Sequence, residues 1–222
     1  ASTRQRTFFN RTALGVPKGQ KSFTGYGAGL WHFEYGLNDN VTLGVYTILP
    51  VMIAGVAPSI KLQKRISEHV AIGGGGMVGI GGPYFDGFGE FAWFAMAHGE
   101  VSFISKGERR ILTIGTWVGG VGAHSSYSGW ETVDRPLIIP NIGYVSRFHR
   151  NWSFVAELSN FFFPIRDDLI GPGRFWMLSY GFRGHGKVVF GEFGFTLPIQ
   201  RDFMSEVWRY VPLGFPHFSL GF

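Results

Sequence analysis

"FAWFAMAHGEVSF", residues 91–103, is the stretch whose reading decides the fold. Phe91, Trp93, Ala95, Val101 and Phe103 fall on one parity and His98, Glu100 and Ser102 on the other. Strand side chains alternate between two faces, so this segment carries one face suited to hydrocarbon and one suited to water. The same division runs through "KSFTGYGAGLWHFEYG" (21–36), where Phe23, Trp31, Phe33 and Tyr35 oppose Ser22, Thr24, His32 and Glu34. In "WSFVAELS" (152–159), Trp152, Phe154, Ala156 and Leu158 oppose Ser153, Glu157 and Ser159. "FWMLSYGFR", "KVVFGEFGF" and the closing "LGFPHFSLGF" repeat the pattern.

Composition points the same way. Charged residues are only 16% of the 222, aromatics reach 17%, and there are 34 glycines. A water-facing surface is normally richer in charge. No apolar run reaches the ~18–20 residues of a membrane-spanning helix, and "ILPVMIAGVAPSI" is broken by prolines. A closed barrel is the other structure that satisfies every backbone group inside a bilayer, and it needs only ~10-residue alternating segments. A soluble β-sandwich fits poorly, because its outer strand faces should be polar.

Turn signals divide the chain into twelve expected strands: 6–15, 20–35, 41–49, 59–66, 69–80, 91–105, 109–123, 136–148, 151–163, 174–184, 187–197 and 208–222. Short connections ("GLNDN", "ISEH", "KGE", "FHRN", "GHGK") alternate with longer ones, as in bacterial barrels with tight periplasmic turns. Strand 6–15 follows from parity, since the strand running down into "GLNDN" needs an upward one to feed it. The expected fold is therefore all-β: a single-domain (1–222), transmembrane, antiparallel up-and-down barrel of about twelve strands, with both termini periplasmic. "ASTRQRTFFN" has no charged-then-apolar signal and reads as the start of a processed chain.

"YGLNDNVTLG", "PNIGYVSRFHRNWSFVAELSNFFFP" and "LSYGFRGHGKVVFGEFGFTLP" resemble a family of small, porin-like Gram-negative outer-membrane β-barrels of uncharacterised activity, which end in phenylalanine. The resemblance covers most of the chain and rests on turn and strand signatures. It implies fold and outer-membrane location, and it transfers no substrate and no catalytic residue. The row Phe218, Leu220 and Phe222 on an alternating last strand resembles the signal by which the barrel assembly machinery recognises such proteins. Trp31, Trp93, Trp152 and Trp176 are the expected lipid-facing girdle, against outer-membrane lipids and lipopolysaccharide.

The inward faces collect charges of both signs: Glu34, Glu100, Glu157 and Glu192 with Lys61, Arg65, Arg147 and Arg183. Charges in a narrow lumen must be paired and hydrogen-bonded. Such a set makes either a constriction for small polar or charged solutes or a salt-bridged filling of a closed barrel, with Tyr26, Tyr46, Phe94 and Phe190 taking up further space. The first gives a narrow channel; the second a non-conducting anchor or subunit of an envelope assembly.

A third reading is enzymatic. His124 and Ser126 in "AHSSYSGW" resemble the His-x-Ser pair of outer-membrane phospholipases and lipid A deacylases, with Asn141 as the available orienting group. The flanking residues of those enzymes are absent, so a hydrated loop is the better account and no catalytic residue is assigned. Asp134, Asp167 and Asp168 lie in outer connections without calcium-loop spacing. The seven histidines lack metal-ligand spacing, and with no cysteine there is no thiolate site. No cofactor or metal is expected. "GGGGMVGIGG" from Gly73 lacks the lysine of a phosphate cradle and suits close strand packing. The net charge of +5 comes without any basic run, which argues against nucleic acid. The apolar stretch Pro50–Pro58 reads as an outer loop that folds over the lumen, dips into the outer leaflet or docks another envelope protein.

Overall fold

The computed structural model describes residues 12–26, 30–48, 53–83, 91–125, 129–132, 136–162, 174–186, 190–199 and 215–221. They form thirteen strands: β1 (Lys21–Tyr26), β2 (Leu30–Asn38), β3 (Val41–Ile48), β4 (Ile53–Arg65), β5 (Val70–Pro83), β6 (Phe91–Ile104), β7 (Arg110–Ser125), β8 (Gly129–Thr132), β9 (Leu137–His149), β10 (Trp152–Phe162), β11 (Arg174–His185), β12 (Phe190–Ile199) and β13 (Phe215–Gly221). A single 3₁₀ turn, Lys106–Glu108, links β6 to β7. Every ladder is antiparallel.

The strand order is β6-β5-β4-β3-β2-β1-β13-β12-β11-β10-β9-β7-β8, and β6 also pairs with β7. Every strand except β8 thus has a partner on both sides. The short β8 lies end to end with β9 along β7, since Thr132 pairs with Gly122 and Leu137 with Gly119. Taken as one place in the ring, β8 and β9 bring the count to twelve. The chain is an antiparallel up-and-down β-barrel.

Polarity is inverted relative to a water-soluble sheet. Phe33, Leu62, Val78, Ile80 and Phe148 stand outward at 46–63% exposure, whereas Lys61, Glu157 and Arg183 are at most 2% exposed. Strands β4 to β7 run 13–16 residues, longer than the ~9–11 that a tilted strand needs to cross a hydrocarbon layer. The tight connections at 39–40, 66–69, 105–109 and 150–151, and the pairing of His185 with Phe190, all lie at one end, called here the short-turn end. Lys21 at the start of β1 pairs with Tyr35, and Gly221 at the end of β13 pairs with Phe190, so both strands meet that end.

Three sequence expectations need correction. Segment 20–35 is a hairpin of β1 and β2, because the glycine-rich "YGAGL" acts as a turn signal inside an alternating run. Residues 12–15, expected as the end of a first strand, belong to no ladder; the remainder of that expected strand lies outside the described residues. The stretch Pro50–Pro58 is no outer loop from Ile53 onward: β4 pairs there with β3 and β5, and Val56 is one of its outward apolar residues. Apolarity in that stretch marks a barrel exterior.

Candidate functional site

The alternating inward residues of β2 to β7 converge on the short-turn half of the lumen. Lys61 of β4 and Glu100 of β6 meet there, Nζ 3.1 Å from Oε1. His98 lies two residues before Glu100 on the same face, and its Nδ1 is 2.5 Å from Glu100 Oε2. The imidazole packs on the Trp117 indole at 4.3 Å between centroids. Its Nε2 is buried with no hydrogen-bond partner among the described residues and faces Gly75, where a Cβ would stand 2.9 Å away. Gly73 is equally tight: a Cβ there would be 2.5 Å from Glu100 Oε1. The inward glycines of "GGGG" thus make the room into which these long side chains fold.

The feature that sequence reasoning missed is what Lys61 holds besides Glu100. Its ammonium donates to the carbonyls of Thr12 and Leu14, the latter at 3.2 Å. The Ala13 amide donates to Ser102 Oγ at 2.8 Å, and Ser102 in turn bonds Thr113 at 2.7 Å. The Val16 amide donates to Thr42 Oγ1 at 3.1 Å. Ala13 packs with Ala71 and Ile104, and Leu14 packs against Ile111, Val145 and Val155. Thr42 belongs to β3 and Val155 to β10, half-way round the ring from one another. Residues 12–16 therefore cross the whole lumen. The chain then leaves through a turn in which Gly19 takes a φ of +74°, its amide 2.7 Å from the Gly36 carbonyl, and enters β1.

A second ionic cluster occupies the other wall. Arg183 and Glu192 are cross-strand partners in the β11–β12 ladder and form an ion pair with essentially no exposure. Phe190 lies 5.7 Å beneath the guanidinium. Glu157 accepts from Ser159 at 3.2 Å, and Ser153 bonds His185 at 2.7 Å. On β2, Glu34 lies 3.9 Å from His32, which stacks on Tyr46 at 3.7 Å.

Six of the eight expected lumen charges are therefore buried on the inner face: Glu34, Lys61, Glu100, Glu157, Arg183 and Glu192. Arg65 and Arg147 are not. Both follow the inward parity but fall at strand ends, where the rim gives them water: Arg65 pairs with Glu108 at 2.7 Å and Arg147 bonds the Arg150 carbonyl. Trp152 and Trp176 are exposed, Trp31 and Trp93 half-buried, with Trp152 near the short turns and the other three toward the opposite end. Phe218 and Leu220 lie in β13 opposite Phe193 and Gly191; Phe222 lies outside the described residues.

Of the hydrolase alternative's three residues, the structure describes His124 and Asn141, and these two lie far apart. His124 stacks on Phe91 at 5.3 Å between centroids, while Asn141 is paired with Gly115, nine residues back along β7 and so about 30 Å away. Ser126, Asp134, Asp167 and Asp168 lie outside the described residues. Among the described residues no three His, Asp or Glu side chains gather as a metal site requires.

No family profile matches the sequence, and no curated protein matches it. Among solved structures, the chain is similar to the NanC porin, with a TM-score of 0.58 at 7% identity over 91% of this chain and 98% of that one. It also matches a mutant of the TodX monoaromatic hydrocarbon channel, with a TM-score of 0.49 at 8% identity over 93% and 89% of the two chains. The pairing of strands and the likeness to NanC agree: this chain has the fold of a porin-type β-barrel.

Proposed function

We propose that this chain is a channel-like β-barrel of a Gram-negative outer membrane, with a charge-lined lumen for small polar solutes. The observation that carries the reading is the inverted polarity. Buried, paired ions line the inside of a ring whose outside is apolar, a distribution suited to hydrocarbon without and water or solute within. The porin likeness supports it at the level of fold. The outer face is matched to outer-membrane lipids and lipopolysaccharide, the last strand to the barrel assembly machinery, and the short turns to the periplasm. The test is conductance of the purified barrel in planar bilayers. Single-channel openings whose ion selectivity changes in Glu100→Gln are expected; silence of the parent and of every lumen variant would defeat the reading.

One observation favours a second reading, a non-conducting anchor or assembly subunit: residues 12–16 lie across the lumen. Whether that obstruction is permanent distinguishes the two.

A further inference from the structure

We infer that the short-turn end of the lumen is a binding chamber for an extended peptide, and that residues 12–16 occupy it as a displaceable plug. The proposal rests on the channel reading for its consequence, the opening of a path, but the chamber itself stands on geometry.

Each element of peptide recognition is present. The Ser102 and Thr42 hydroxyls accept amide protons from Ala13 and Val16, and the Lys61 ammonium serves two backbone carbonyls. Two apolar clusters, Ala71–Ile104 and Ile111–Val145–Val155, receive the side chains of Ala13 and Leu14. Gly15 lies against the Gln63 side-chain amide, so a larger residue there must push that amide away from Thr42 and the Asp39 carbonyl, and the chamber favours glycine. The ligand class is a short extended peptide with small apolar side chains around a glycine.

Displaceability follows from how the segment is held. Residues 12–16 join no strand ladder: barrel side chains hold the Ala13 and Val16 amides and the Thr12 and Leu14 carbonyls, and the Leu14 amide bonds Thr12 Oγ1 within the segment. Withdrawal leaves every ladder of the barrel intact, whereas withdrawing a strand would break two. The cost is a few side-chain hydrogen bonds and small apolar contacts. Hydrogen bonds to a charged donor shift such an equilibrium by about ten- to hundredfold each, so the open fraction is adjustable.

The chain has no cysteine, so a single engineered pair reports cleanly. Ala13→Cys with Ser102→Cys should cross-link the plug to β6. The oxidised form, its disulfide verified by mass, should be silent in planar bilayers, and reductant should restore openings, the reduced form of the same variant serving as the reference. Gly15→Val in the full chain, with folding checked by heat-modifiability, should raise the open fraction about tenfold. A synthetic peptide of residues 11–17, added from the short-turn side to a variant lacking residues 1–16, should close it where a scrambled peptide does not. Oxidised protein that conducts like its own reduced form, or folded Gly15→Val with unchanged openings, overturns the plug. If the truncated variant does not fold, the cross-link decides. If no form conducts, the channel reading fails alone, and binding of the labelled peptide to folded Gly15→Val, by fluorescence anisotropy, supports the chamber or, if absent, overturns it.

Discussion

Lys61 of β4 and Glu100 of β6 meet across the strand between them, 3.1 Å apart, because β5 carries glycine at 73 and 75 where a side chain would occupy their path. The ion pair and the glycine run are one device. Neither partner is exposed by more than a few per cent, so the pair must satisfy itself with protein groups: His98 for the carboxylate, and the Thr12 and Leu14 carbonyls for the ammonium.

Gly73→Val is expected to destabilise the barrel by about 3 kcal/mol, since it forces Glu100 away from Lys61 and overpacks the lumen. Gly99→Ala is the control, because a Cβ there meets nothing within 4 Å. The temperature at which the heat-modifiable band shifts on gels should fall for the first and hold for the second. Equal behaviour would mean that the inward glycines are not space-making.

Arg183→Ala should cost about 3–5 kcal/mol by leaving Glu192 buried and uncompensated, unless water enters beside it. Replacing both partners, Arg183→Met with Glu192→Leu, should recover most of that loss. Arg147→Ala should change stability by less than about 0.5 kcal/mol, because its guanidinium is exposed at the rim. Urea unfolding in detergent compares the three, and an Arg147 effect as large as that of Arg183 would contradict the rim assignment.

Topology is open to labelling with an impermeant thiol reagent in intact cells. Cysteines at Lys106 and Asn151, both exposed at the short-turn end, should stay unlabelled if that end is periplasmic. A cysteine at Pro136, toward the opposite end, should label. The reverse pattern would invert the orientation.

Deleting Phe222 removes about 2 kcal/mol of burial at most, too little to unfold a barrel. Loss of outer-membrane levels in the deletion variant is nevertheless expected if the terminal row acts in assembly. Normal levels, measured in outer-membrane fractions, would argue that the row contributes packing alone.

Period-two alternation was legible residue by residue. It separated Phe103 from Ser102 and Trp152 from Ser153, and it marked Glu100, Glu157 and Glu192 as inward, because a strand buried on one side admits only one register of faces. The same rule overreached at Arg65 and Arg147, since parity says which way a side chain leaves the strand and nothing of how near the rim it stands. From sequence, "IAGVAP" (53–58) also reads as part of a loop, although apolar residues are at home on a hydrocarbon-facing strand.

The path of residues 12–16 was decided only by the tertiary structure. Nothing within "TALGV" says whether its amides will find a neighbouring strand or the hydroxyls of Ser102 and Thr42, which lie 89 and 26 residues from their partners in sequence. Local pattern determined the wall of this barrel, because a wall requires only that each strand present one apolar and one polar face. What fills it depended on closure of the ring, which brings β3, β4, β6 and β10 around one point and creates a polar, chambered interior that no single segment encodes.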